Sequence, residues 1–241
     1  MMETKRERVR AMFGRVAKGY DRLNTVLSMG LHHGWRRFAV RECEFPAGGR
    51  ALDVAVGTGD FAIETIGSNG TAVGVDLCEP MLREGLPKLE RLGLARRVRL
   101  VVGEAEALPV PDNYFDCATI GFALRNVTDI DATFAEMTRA VRPGGKVVAL
   151  EIAKPRNPII RAGFSLYFYY LSPWLARLLG GDPAAYQYLP NSLKTFKTRD
   201  ELCASMRRAG LTDVHFHDLS GGMVCVHVGT KPRAASAGGS V

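Results

Sequence analysis

Five short apolar runs, residues 51–55, 72–76, 98–102, 118–122 and 146–152, punctuate the middle of the chain, and the stretches between them show helical spacing of apolar residues. Runs of this length with few charges are strands buried on both faces. Gaps of ~10 to 20 residues leave room for crossover helices, so the pattern predicts an α/β fold with a doubly wound, mostly parallel sheet. Arg142-Pro143-Gly144-Gly145 is expected to stop a helix just before the fifth strand. Two further runs, 213–219 and 223–230, flank Ser220-Gly221-Gly222 and predict an antiparallel hairpin at the end of the sheet.

Ahead of this region the polarity pattern changes. Val9, Met12, Phe13 and Val16 stand at i, i+3, i+4 and i+7, which predicts an amphipathic helix over 3–18. Residues 20–24 read as a break, a second helix is expected over 31–41, and Pro46-Ala47-Gly48-Gly49 marks a turn. Residues 1–49 are thus expected to form a helical lid segment, and 50–231 the main domain. An insert at 155–196 interrupts the alternation and holds nine of the chain's 20 aromatic residues; 232–241 is a small-residue tail expected to be disordered.

Composition narrows the class. With 241 residues, 46% apolar and 24% charged, the chain suits one globular domain, not a disordered or collagen-like one. The net charge of +7 is concentrated in residues 1–50, which hold eleven basic against five acidic residues. Such a patch fits an anionic membrane face, nucleic-acid phosphates or a solvated helix face. No aromatic–basic recognition motif accompanies it, so no nucleic-acid partner is expected. The five cysteines form no CxxC pair, which points to neither a zinc site nor a disulfide framework. The uncharged stretch 162–176 is shorter than the ~18 to 20 residues of a spanning helix, and the charged start lacks the apolar core of a signal peptide. The expectation is a cytoplasmic protein.

Candidate chemistry begins where the first strand ends, at Asp53-x-Ala55-x-Gly57-x-Gly59. A glycine-rich turn there lets a ligand approach the backbone and a helix N-terminus, although many such turns are only tight turns. Asp76, 17 residues after Gly59 at the end of the second strand, is placed to accept hydrogen bonds from both hydroxyls of a ribose. The spacing does not match GxGxxG; it resembles the DxGxGxG loop of class I S-adenosylmethionine-dependent methyltransferases. Glu104-Ala105-Glu106 follows the third strand, where that fold borders adenine; the alternative for the two glutamates is a solvated loop.

More specific segments are Tyr20-Asp21-Arg22-Leu23-Asn24, Ser28-Met29-Gly30-Leu31-His32, Gly57-Thr58-Gly59-Asp60, Gly121 through Asp129, Glu151-Ile152-Ala153-Lys154-Pro155 and Tyr186 through Ser192. Together they resemble the menaquinone and ubiquinone biosynthesis C-methyltransferases over roughly residues 5–231. The resemblance implies a class I methyltransferase Rossmann-like fold using S-adenosyl-L-methionine. It assigns cofactor contacts to Asp53, Gly57, Thr58 and Gly59 in the loop, Asp76 on the ribose, Glu104 and Ala105 near adenine, and Gly121 at the end of the fourth strand. Val56 and Glu104 depart from the family pattern, and Gly121 stands where many relatives have Ser. The implied reaction converts demethylmenaquinol to menaquinol; the alternative is C-methylation of a methoxy-polyprenyl-benzoquinol.

Methyl transfer from a sulfonium is an in-line displacement that needs positioning and exclusion of water, and no metal is expected. A quinol carbon becomes nucleophilic when a neighbouring hydroxyl loses its proton, which calls for a base or a cation beside the phenolate. Arg125 is the candidate cation, with an ion pair to Asp129 or Asp131 as its alternative. Tyr20 is a candidate proton relay or stacking partner, or else a packing tyrosine. His32 and His33 are candidate acceptors titrating near neutral pH, or solvated side chains. Tyr20, Asn126, Tyr188 and Asn191 are the candidate substrate contacts, the last two alternatively bracing the insert. The insert's Phe164, Leu166, Tyr167, Phe168, Tyr170, Leu171, Trp174, Leu175, Leu178 and Leu179 suggest a tunnel or membrane-facing mouth for a polyprenyl tail, or else core or a homodimer interface. With the basic N-terminal segment, the first reading implies peripheral contact with an anionic membrane.

Overall fold

A computed structural model describes residues 4–67, 69–171, 174, 188 and 191–233. Seven strands form one sheet in the order β3-β2-β1-β4-β5-β7-β6. They are β1 Arg50–Val54, β2 Thr71–Asp76, β3 Val98–Val102, β4 Phe115–Gly121, β5 Val141–Ile152, β6 Thr212–Leu219 and β7 Val224–Thr230. The first five pair in parallel, whereas β7 pairs antiparallel with both β5 and β6. The expected sheet and its closing hairpin are both present.

Side-chain alternation builds a core on each face. Leu52, Val54, Ala118, Ile120, Val147 and Ala149 point to one side, beneath Phe134 and Met137 of α6 (Ile130–Ala140) and Leu202 and Met206 of the helix Arg199–Arg208. Ala51, Cys117, Val148 and Leu150 point to the other. There they meet Ala39 of α3 (Leu31–Glu42), Phe61 and Ala62 of α4 (Asp60–Ile66), and Leu82 and Leu89 of α5 (Glu79–Arg91). Two-sided burial is why these strands read as continuous apolar runs.

Three expectations need correction. Residues 20–24 are not a break but the start of α2, Tyr20–Leu27; the break is at Gly19, whose φ of 97° stops α1 (Lys5–Val16) and turns the chain. No helix lies between β3 and β4, where residues 103–114 form a loop. Pro143-Gly144-Gly145 does not separate α6 from the strand: β5 starts directly at Val141 and carries these residues as a bulge, its register jumping from Phe115↔Val141 to Cys117↔Lys146. A Cβ on Gly145 would come within 2.8 Å of the Asp116 carbonyl oxygen, so the bulge hugs β4 too closely for any side chain.

The insert begins with α7, Pro158–Leu166, and continues as a π-helical turn, Tyr167–Leu171. Leu175, Leu178 and Leu179, the segment 186–187, and residues 234–241 of the expected tail lie outside the described residues. No helix among the described residues is long and apolar enough to cross a membrane.

Candidate active site

Strand order reverses between β1 and β4, and the carboxyl ends of the strands diverge there, which is where open α/β sheets bind ligands. A cleft open to solvent occupies this point. Its floor is built from strand ends: Ala55 and Gly57 after β1, Asp76 to Cys78 after β2, Gly103 to Glu106 after β3, and Gly121 to Ala123 after β4. Its roof is α1 and the start of α2, through Arg6, Val9, Arg10, Phe13 and Tyr20.

The loop conformation follows from a buried carboxylate. Asp53, 1% exposed, accepts from the Ala62 amide at 2.9 Å and the Thr119 hydroxyl at 2.9 Å, pinning the first turn of α4 to the sheet. Asp53 therefore does not face the cleft; it positions the loop that does. Burial pushes its pKa up to about 7. Gly57 has φ 56° and Gly59 φ 93°, and Ala55 adopts φ 55° despite its Cβ, a strained conformation beside the cleft. Val56 packs its methyls where a Cβ on Gly74 would otherwise sit, 2.6 Å away, so the Val56 departure is matched by a glycine on the neighbouring strand.

Asp76 lines the cleft as expected. It accepts from the Gly57 amide and the Cys78 amide, both at 2.8 Å, leaving the remaining lone pairs of its carboxylate for hydroxyl donors. Burial raises its pKa against these two amides. Glu104 and Ala105 also line the cleft, and Glu104 is not simply solvated: Arg6 Nη1 lies 2.6 Å from its carboxylate, tying α1 down. Glu106 accepts from the Thr128 amide at 2.6 Å. Gly121 borders the cleft, and a Cβ there would meet Phe61 at 2.9 Å, which explains why serine is absent. Thr58 does not line the cleft. Its hydroxyl donates to Asp21 at 2.5 Å, and Lys88 joins the pair by bonding Asp21 at 2.7 Å and Asp60. This clasp of α2 to α4 and α5 has no simple sequence signal, because its partners are up to 67 residues apart.

Of the candidate catalytic residues, Tyr20 and Asn126 line the cleft, and Asn126 Oδ1 is buried without a hydrogen-bond partner. Burial raises the Tyr20 pKa, opposed by a bond from Asn24 and the charge of Arg125. Arg125 pairs with neither Asp129 nor Asp131. Asp129 caps α6, Asp131 binds Lys197 and Arg208, and Arg125 Nη1 instead lies 2.9 Å from Glu151, which also accepts from the Leu124 amide. Glu151 is 1% exposed, and burial raises its pKa against the opposing charge of Arg125. Arg125 Nε has no partner among the described residues. Tyr188 lies outside the main cleft, in an adjoining groove with Arg8, Val9 and Met12, and its pKa is raised by burial and lowered by Arg125. Asn191 is exposed and bonds Lys194 at 3.1 Å, away from the cleft.

His32 does not fit the role of base. It is buried, its Nδ1 lies 2.6 Å from the Ser28 hydroxyl, and burial together with Arg36 and His33 brings its pKa down to about 4. It does not border the cleft. Glu151, quoted in the sequence only as part of a segment, is the acidic group the structure places beside Arg125.

The sequence pattern of the ubiE/COQ5 methyltransferase family matches residues 1–231, all seven strands included. The chain belongs to that family. A demethylmenaquinone methyltransferase from Roseiflexus castenholzii is 47% identical over 231 residues, 95% of each chain. A ubiquinone/menaquinone biosynthesis C-methyltransferase from Pseudomonas putida is 39% identical, covering 95% of this chain and 90% of its own. Among solved structures, an S-adenosylmethionine-dependent methyltransferase from Thermotoga maritima shares the fold with a TM-score of 0.63 at 24% identity, covering 92% of this chain and 99% of that one. Membership of the ubiE/COQ5 methyltransferase family makes the chain an S-adenosylmethionine-dependent C-methyltransferase. The cleft suits that cofactor: the Asp76 carboxylate faces it with unused lone pairs, glycines open the backbone, and Asn126 Oδ1 lacks a partner among the described residues.

Proposed function

We propose that the chain methylates the ring carbon of demethylmenaquinol to give menaquinol. The observation that carries this reading is the 47% identity, over 95% of both chains, to a protein bearing that name, in a chain whose Tyr20 and Asn126 face the same cleft as Asp76. Asp76 would hold the ribose, and the backbone around Gly57 and Ala105 the rest of the nucleoside. S-adenosylmethionine, when bound, supplies an electrophilic methyl group on a sulfonium. The protein's own part is to orient the quinol, shut out water and steer one proton.

Tyr20, kept neutral by burial, is a donor rather than a base, and it would hold a quinol oxygen. The Arg125 charge would stabilise the aryloxide that forms when that hydroxyl loses its proton; neither Arg125 nor Glu151 borders the cleft, so Glu151, whose affinity for a proton is enhanced by burial, would take the proton only through a bridging water. Roofing by Val9 and Phe13 keeps the cleft apolar above the ring.

The decisive assay supplies methyl-labelled cofactor and a short-chain demethylmenaquinol. Label in the naphthoquinol ring is expected, and methylation of the benzoquinol alone would overturn the assignment. The 39% identity to the Pseudomonas putida protein supports a second reading, in which both quinols are accepted.

The polyprenyl tail would run along the insert. Ile159 and Tyr170 leave 82% and 71% of their surfaces exposed, with Leu166, Leu171 and Trp174 exposed nearby in sequence, and the Tyr167 hydroxyl bonds the Leu27 carbonyl oxygen at the end of α2. This apolar face beside a basic N-terminal segment supports peripheral contact with an anionic membrane surface in preference to a homodimer interface. Flotation with anionic and neutral vesicles tests it, and equal indifference to both at low salt removes the membrane reading.

A further inference from the structure

The outer edge of the sheet carries a cluster that methyl transfer does not use. His215 and His217 stand two apart on β6, so the pleat puts both imidazoles on one face, and Glu42 at the last position of α3 reaches the same place. One ligating atom from each of the three lies within 4.8 Å of the other two. Glu42 Oε2 is 3.5 Å from His217 Nε2, and that nitrogen is buried without a hydrogen-bond partner. The Phe38 ring packs edge-on against the His217 imidazole at 5.2 Å, fixing its orientation.

His215 is prepared differently. Its Nδ1 lies 2.7 Å from the Asp213 carbonyl oxygen. A carbonyl only accepts, so Nδ1 carries the proton and Nε2 keeps its lone pair. Tying the far imidazole nitrogen to a backbone carbonyl is how metal-binding histidines are oriented. The carbonyl reaches this position because Asp213 adopts φ 50° and the β6–β7 register shifts between Thr212 and His215. An unsupported left-handed aspartate in a strand is costly, and here its result is a fixed imidazole tautomer.

We propose that Glu42, His215 and His217 bind a divalent transition-metal ion of the zinc type, joining α3 to the edge strand. Two imidazoles and one carboxylate are a donor set for zinc and its neighbours rather than for calcium or magnesium. Metal bonds of about 2.0–2.2 Å in a tetrahedron put ligand atoms about 3.4 Å apart. The Glu42–His217 separation already meets this, and the exposed His215 closes the remainder by a small ring movement. Cysteine spacing gives no hint of the site, because its signal is a His-x-His pair on one strand joined by a carboxylate 173 positions before the first histidine, from Glu42 to His215. The ion would anchor the root of the N-terminal segment, independently of what the cleft methylates.

The test uses the full-length chain without an affinity tag, stripped by chelator and titrated with zinc chloride, then with cobalt chloride. One equivalent is expected to bind in the micromolar range or tighter. The melting temperature should rise by about 5 to 10 °C with zinc a hundredfold above Kd. Cobalt should show the intense visible absorption of a four- or five-coordinate ion. His217→Ala and Glu42→Gln should each weaken binding at least tenfold. A melting temperature unmoved by zinc, a cobalt spectrum unchanged from the hydrated ion, or affinity retained in the double variant His215→Ala/His217→Ala overturns the proposal. The wild-type melting and cobalt measurements need no variant, so a misfolded mutant does not weaken the test.

Discussion

Asp53 is a single residue with a large expected effect on pH behaviour. Its carboxyl is raised to about 7 in the folded chain, so folding favours its protonated form. The stability it contributes is fully present below about pH 4 and is lost as pH rises through 7, on the order of 4 kcal/mol in total. His32 runs the other way: with its pKa lowered to about 4, its contribution is present above pH 6.5 and is lost as pH falls through 4. In urea unfolding at stepped pH, Asp53→Asn should remove the decline between pH 4 and 7 and leave the His32 rise. A second test concerns the contact of Val56 with Gly74. Gly74→Ala should cost about 1–3 kcal/mol by overpacking, and adding Val56→Ala should recover most of it, as a double-mutant cycle would show. Arg125→Ala strips the buried Glu151 of its cation and should destabilise by about 3–5 kcal/mol as well as abolish turnover. Adding Glu151→Gln should restore the melting temperature but not the activity. At this scale the sequence singled out Asp76, Tyr20 and Asn126, which the structure places on one cleft; they stand at a strand end, at a helix start and in the loop after β4, which are local facts. It missed the Arg125–Glu151 pair and the burial of His32, which depend on contacts made only in three dimensions.

Elements were legible in proportion to how local their causes are. Strands β1 to β4 and the hairpin follow from apolar runs and turn residues, and α1 from its spacing. The start of α2 was hidden because Tyr20-Asp21-Arg22-Leu23-Asn24 is mostly polar and its Asp21 finds Thr58 and Lys88 only in the folded chain. The bulge at Pro143-Gly144-Gly145 looks like a helix stop for the same local reasons that let it bend a strand. The clasp gives a prediction at this scale. Asp21→Ala should cost only about 1 kcal/mol of stability, since Asp21 is partly exposed and Lys88 keeps Asp60, but it should raise the cofactor KM by loosening α2 over Thr58. Thermal melts and steady-state kinetics separate the two effects.

For the whole molecule, the parallel sheet and the place of its cleft were readable because a glycine turn after β1 and an acid after β2 mark a strand-order reversal wherever it occurs. A helical lid was expected of residues 1–49, but the contact that ties it down was not legible, since Arg6 and Glu104 meet across 98 residues. One segment thus does two jobs: its first helix bolts down beside Glu104 while the carbonyl of Leu27 meets Tyr167 in the insert. A greasy tail lodged along the insert would keep the door shut on the spent nucleoside. Strictly sequential departure is therefore expected, methylated quinol first and S-adenosylhomocysteine second, and product-inhibition patterns showing random release would contradict it.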